Sequence, residues 1–495
     1  MRYPKVKASA LLIEEPAASP APVPETVAPI ATRFQKDRYW PEGKQGAPRK
    51  HHIVSIVAIG EPGESLLIPG NEKEVLHVIH RWRSLAVGVC CIVVLFCSLS
   101  SAKTPITWWM HWQGPDEAWV KEWAVQFAKE NPDIGLAVET QVANPNEKMI
   151  VTVSAGVGPD ISYVVDTRIG NWAELGLTLP LDRYFNTLPN RGDFLPDVLE
   201  AMTYDGALQA LPFMVWPWGV LWNRTVFAEA GMTEPPKDWD EMLTAARRLT
   251  RVGSDGTIER WGWRTWRNAQ WTLAFVETLL RQLGTTLLEE KDVRATLHGA
   301  DGIRAMEYLG ELWQIGDMHR GQAANDVALV DGKGGMFYAW SGANWQELIK
   351  VRPDVAESDM LGFSRYPGPV EGRDNLNFMA ANLMIVSSSK RPDEAWRVIE
   401  AFVEPRNLKG YLLERGMLPV RRSLFSDPDL QRSPLTKEMM SRLYSPLMML
   451  GIKHKRSSDF QTPAGTELMK GLDGTIAIPE ALMRAEHVIN VELTR

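Results

Sequence analysis

The stretch "TPITWWMHWQG" (104–114) places Trp108, Trp109 and Trp112 within five positions, with Gln113 beside the last. Three indoles so close cannot all turn into one interior. Comparable groups recur at Trp216/Trp218/Trp222, Trp261/Trp263/Trp266/Trp271 and Trp340/Trp345, each where helical periodicity fails. A flat aromatic face matches the C–H face of a pyranose ring and offers wide contact at small entropic cost. These clusters therefore point to carbohydrate binding. Nucleophilic and metal chemistry find less support. There is no G-x-S-x-G elbow, no H-E-x-x-H pair and no phosphate-cradling G-x-x-x-x-G-K-[ST]. The histidines beyond residue 103 (His111, His298, His319, His454 and His487) are scattered, with no pair at metal-ligand spacing. Neither a metal nor a cofactor is expected. Acidic residues are plentiful, so a two-carboxylate glycosidase or lyase stays open as the rival reading.

Loops that carry ligand-facing residues must be held by regular elements. "PITWWM" (105–110), "LAVETQV" (136–142) and "ISYVV" (161–165) read as strands, as do "GGMFYAW" (334–340) and "NLMIVS" (382–387). "DEAWVKEWAVQFAKENPD" (116–133) repeats Trp119, Trp123 and Phe127 at helical spacing, with Asp116 expected as its N-cap. Helices are also expected over 239–250, 300–316 and 391–405. Trp119, Trp123, Trp239, Trp313 and Trp396 sit at helical spacing and are assigned to the core. Strands alternating with helices predict an α/β layered fold.

The 495-residue length suggests about two to three domains. A net charge of −7 provides no basic footprint for nucleic acid. All three cysteines, Cys90, Cys91 and Cys97, fall in "LAVGVCCIVVLFCSL" (85–99), so no disulfide framework exists elsewhere. That run is too short for a typical membrane span of about 20 residues. With Arg81 and Arg83 before it and small residues after it, 81–102 reads as a signal peptide cleaved after Ala102, or as an uncleaved anchor. The preceding segment holds "EEPAASPAPVPETVAP" (14–29), a composition that buries little apolar surface, so 1–80 is read as a disordered extension with the true start near Val75 or Leu76. The remainder, 103–495, is expected to be exported, to the periplasm or the cell surface.

Several segments of this remainder together resemble the family 1 extracellular solute-binding proteins, the receptors of sugar ABC transporters to which maltose-binding protein belongs. They are "ITWWMHWQG", "VSAGVGPDISYV" (153–164), "ELGLTLPLDRYF" (174–185), "YDGALQALPFMVWPWGVLWNRTVFAEAGMTEPPKDWDEMLTAARRLT" (204–250), "GKGGMFYAWSGANW" (332–345) and "RGMLPVRRSL" (415–424). Their order and spacing carry the resemblance over about 104–425. It implies two interleaved α/β lobes with hinge crossovers, a ligand cleft between them, a monomer, and delivery of the solute to a membrane permease without catalysis. It also implies site residues: Trp112 and Gln113 after the first strand; Asp166, Thr167 and Arg168 after "GPDI"; Trp216 and Trp218 after "LPF". Trp266, Asn268, Gln270 and Trp271 follow in mid-chain, then Asn344 and Trp345, and Asn375 and Asn377 just ahead of a strand. Asp160 is assigned a structural role. Arg168, Arg264 and Arg267 keep open a receptor for a non-sugar solute such as a polyol phosphate.

Overall fold

The computed structural model describes residues 103–110, 115–140, 145–289, 294–316, 326–338, 349 and 352–495, together with two short strands near the N-terminus. The chain divides into two compact units, Met1–Ser101 and Ala102–Arg495. In the first, Ser55–Ile56 pairs antiparallel with Leu66–Leu67. The segment 81–102 lies outside the described residues. No helix among the described residues is long and apolar enough to cross a membrane.

The second unit is built on two sheets. In the first sheet, β1 (Thr104–Met110), β2 (Ile134–Thr140), β3 (Ile161–Val165) and β4 (Leu211–Trp218) all run in one direction. A run such as "ITWWM" is apolar without alternation because both faces of a central strand are covered. Trp108 and Trp109 accordingly point to opposite faces and are both buried. Trp108 meets α1 (Pro115–Glu130) through Trp123, edge-on at 6.1 Å. Trp109 donates Nε1–H to Glu139 at 3.0 Å. The expected N-cap Asp116 falls inside the first turn instead, because the helix already starts at Pro115, whose fixed φ suits that position.

The two sheets are stitched by crossings. β4 ends at Trp218, and one residue later the chain enters β5 (Val220–Asn223) of the second sheet. There β6 (Arg251–Val252), β7 (Ile258–Thr265), β8 (Gly334–Tyr338), β5 and β9 (Leu361–Ser364) lie in that order. The intervening Gly219 has no room for a side chain: a Cβ there would sit 2.4 Å from the Ser364 carbonyl oxygen and 2.6 Å from the Phe363 ring. After β9 the chain returns to the first sheet as β10 (Leu376–Ile385), which pairs antiparallel with β4 along one side and with β3 on the other. A third passage brings Leu447–Met449 alongside the start of β10, in parallel.

The sequence reading had this last long strand beginning at Asn382. It starts six residues earlier. The two asparagines that break its apolar pattern are buried and bonded: Asn382 donates Nδ2–H to the Val164 and Ala380 carbonyls at 3.1 Å. Around the second sheet pack α2 (Trp239–Leu249), α3 (Ala269–Leu283), α4 (Ala300–Ile315), α5 (Ser457–Leu472) and α6 (Ile478–Leu493). Of these, α3, α5 and α6 went unread in the sequence. In α3 polar residues such as Glu277, Thr278 and Gln282 are buried along with the apolar ones, so its pattern does not divide into a core stripe and a solvent stripe.

Candidate functional site

The polypeptide directions set where a site can form. β3 and β4 of the first sheet end at Val165 and Trp218, and β7 and β8 of the second end at Thr265 and Tyr338. Trp218 from the first sheet meets Thr265 and Tyr338 from the second in one pocket, completed by Trp266, Trp271, Thr272, Phe275, Leu309, Trp313 and Leu450. Carboxyl ends of strands are where open α/β sheets bind ligands. The pocket encloses about 10 Å³, room for a single water.

Its walls are braced. Trp218 packs against Trp271 at 5.5 Å and against Tyr338 at 5.9 Å. Tyr338 stacks on Phe275 at 4.4 Å, and Trp266 rests on Phe337 at 6.0 Å. Thr265 donates Oγ–H to the Tyr338 carbonyl at 2.9 Å. Burial pushes the Tyr338 phenol well above its ordinary pKa, so it stays a neutral donor, and its hydroxyl reaches Asn377 Oδ1 at 3.3 Å. Beyond the pocket mouth Asp473 accepts from Trp313 Nε1 at 2.9 Å and from Arg267 at 2.6 Å.

Against this geometry the expected site residues divide into groups. Trp218, Trp266 and Trp271 share the pocket. Trp216 is half-buried on the same face of β4, two residues from Trp218. Asn268 is the N-cap of α3: its Oδ1 accepts from Gln270 N at 2.9 Å and Trp271 N at 3.4 Å. That is the ordinary work of an asparagine at this position. Asn377 lies inside β10 rather than ahead of it, 1 % exposed, its Nδ2–H donating to Thr278 Oγ at 3.0 Å. Asn375 donates to Asn377 Oδ1, and Gln282 to Asn375 Oδ1, so a polar chain runs from the crossover strand into α3.

Asp166 is 1 % exposed and accepts from Thr167 N at 2.8 Å and Ala380 N at 2.9 Å, tying the exit of β3 to β10. Burial raises its carboxyl pKa to about 7 against the lowering pull of those donors. Thr167 is buried, and its carbonyl accepts from Ser457 Oγ at 3.2 Å. Arg168 is half-buried and makes no ion pair among the described residues, and burial holds its guanidinium below its ordinary pKa. Trp112, Gln113, Asn344 and Trp345 lie outside the described residues.

Several tryptophans grouped by sequence as ligand-facing prove to be core. Trp222, Trp261 and Trp263 sit in strands and are at most 6 % exposed. The arginines proposed for a phosphate do not gather. Arg264 is buried, donating Nε–H to the Gly316 carbonyl at 3.2 Å, and Arg267 is committed to Asp473. Asp160 has a structural setting: it accepts from Thr107 N at 2.9 Å and from Ser389 Oγ at 2.6 Å. Tyr338, Trp313 and Leu450 were not anticipated in the site. Trp313 has the periodicity of a core residue, which it is at 1 % exposure, and it lines the pocket from the core side.

Comparison with known proteins places this architecture. The bacterial extracellular solute-binding protein family matches residues 112–409. The chain belongs to that family. It is 23 % identical over 349 residues to a binding protein of Brucella abortus (strain 2308), covering 70 % of this chain and 82 % of that one. It is 23 % identical over 313 residues to the maltotriose-binding protein of Pyrococcus abyssi, covering 61 % of this chain and 64 % of the relative. Among solved structures, the sugar-binding protein MalE of Xanthomonas citri superposes with a TM-score of 0.69 at 21 % identity, covering 79 % of this chain and 98 % of that one. The two-lobed α/β fold is thereby shared.

Proposed function

We propose that this member of the family is the extracytoplasmic receptor of an ABC importer, which captures a carbohydrate between its lobes and presents it to a membrane permease. The observation that carries the reading is the meeting of four tryptophans and a tyrosine in one pocket where the lobes cross. Such a lining stacks on sugar rings. The maltotriose-binding relative is consistent with that cargo. A pocket with room for one water takes a pyranose only when its walls part, so capture is coupled to lobe opening and closure. The reading assigns this chain binding rather than turnover, in keeping with a family of solute-binding proteins. The engagement of Arg264 by the Gly316 carbonyl and of Arg267 by Asp473 disfavours a phosphate-bearing solute.

The test is a tryptophan-fluorescence titration of the whole chain with mono- and oligosaccharides, including maltotriose, and with glycerol phosphates. Each mixture is then analysed chromatographically for products. A saturable change with a saccharide and an unaltered saccharide afterwards is expected. Release of a shorter sugar overturns the receptor reading in favour of a hydrolase. Trp266→Ala combined with Trp271→Ala is expected to weaken binding about tenfold or more while circular dichroism remains native.

A further inference from the structure

Among the described residues, five tryptophans, Trp108, Trp172, Trp218, Trp222 and Trp263, have a buried Nε1–H that meets no acceptor. Four of them belong to the core away from the pocket. Trp218 alone of the five lines it. An indole N–H is a donor only, so it cannot be satisfied by turning into an acceptor. Leaving a buried donor unmet is unfavourable, and that penalty is relieved as soon as an oxygen arrives. The Trp218 ring is pinned, 5 % exposed, between Trp271 and Tyr338, and follows directly on from the strand pairing with Asn377 across β10. Its orientation is therefore set before any ligand enters. Four other donors of the lining are already engaged: Thr265 Oγ–H with the Tyr338 carbonyl, Thr272 Oγ–H with the Asn268 carbonyl, the Tyr338 hydroxyl with Asn377, and Trp313 Nε1–H with Asp473.

We propose that Trp218 Nε1–H is a preorganised hydrogen-bond donor of the site, held in reserve for an oxygen of the bound saccharide, and that Trp218 therefore selects by hydrogen bonding as well as by stacking. The proposal rests on the carbohydrate reading above and adds to it which atom does the selecting. The oxygen it selects is a hydroxyl, ring or glycosidic oxygen. An ammonium or a methylene presented there leaves the donor unmet.

The experiment compares the whole chain with its Trp218→Phe variant, which keeps an aromatic face and deletes the N–H. Maltotriose is the first probe, followed by the saccharide that saturates the fluorescence titration. Loss of one neutral hydrogen bond predicts about three- to tenfold weaker binding in Trp218→Phe, with near-ultraviolet circular dichroism retained. Because the smaller ring also changes packing, a second readout uses the unaltered protein labelled with 15N at tryptophan. The Trp218 indole cross-peak, assigned by its disappearance in Trp218→Phe, is expected to move downfield on saturation. Affinity within twofold of the unaltered protein, or an indole proton whose shift does not move on saturation, overturns this inference while leaving the receptor reading intact. Failure of the unaltered protein to bind any saccharide overturns the carbohydrate reading and the donor's proposed partner together.

Discussion

At the scale of single residues, the buried carboxylate of Asp166 is the clearest case of placement changing chemistry. An aspartate beside a threonine and an arginine reads, in sequence, as a contact for hydroxyls. In the fold it is a clamp between β3 and β10, stripped of water. Its folded-state pKa of about 7 lies above the ordinary carboxylate value of about 3.9. Between those values the folded chain binds the extra proton, so this group's contribution to stability is full at the acid end and is lost as pH rises through 7. Thermal melts of the unaltered protein and Asp166→Asn across pH 5 to 8 test this: the difference between their midpoints is expected to change with pH over that window and to level off above it. Asn377 offers a second test. Replacing it by alanine strands Tyr338 Oη, Thr278 and Asn375 together, and urea unfolding is expected to show a loss of about 2–3 kcal/mol.

At the scale of elements, strand direction matters more than strand content. β3, β4 and β8 were each partly or wholly visible in the sequence as apolar runs or family segments and β7 was not, and only pairing shows that β4 from one sheet and β7 and β8 from the other deliver their last residues to a common pocket. The joint between β4 and β5 depends on a glycine of ordinary φ. Gly219 is required by close approach, with the Ser364 carbonyl where a side chain would be. Gly219→Ala is expected to cost about 1–3 kcal/mol by forcing the two crossing segments apart, measured by urea denaturation. The third passage has its own glycine, Gly451, at φ 107°, whose Cβ would press on the Thr167 methyl at 3.0 Å. Elements that failed to show in the sequence failed for stated reasons. α3 buries polar residues such as Glu277, Thr278 and Gln282 because its faces are covered by β-strands, by Tyr366 and by α5. The front half of β10 is masked by Asn377, a polar residue that only its partners make compatible with a core.

At the scale of the whole molecule, the two sheets are joined by three crossings, and the proposed capture requires them to open and close about those segments. A ligand that touches both sides shifts the population towards the closed form. Small-angle X-ray scattering of the whole chain is expected to give a smaller radius of gyration at saturating saccharide than without it. An unchanged radius alongside a saturating fluorescence titration would mean that binding and closure are uncoupled.

By itself, the sequence determined the class of fold, the family pattern and the abundance of indole faces, because hydrophobic periodicity and short ordered motifs are properties of neighbours along the chain. It also singled out Trp218, Trp266 and Trp271, which the fold brings to one pocket. Which polar side chains remain available was decided by the tertiary structure alone. Asp166, Asn268 and Asn377 look alike as hydrogen-bonding residues in a list. In the fold the first ties two strands together, the second caps a helix and the third joins a buried chain of amides. Trp222, Trp261 and Trp263 pass from the surface expected of them to the core by the same logic. The physical reason is that a backbone N–H or a buried amide claims the nearest oxygen, and for Asp166 and Asn377 the fold brings that partner from far along the chain, Ala380 from 214 positions away and Thr278 from 99.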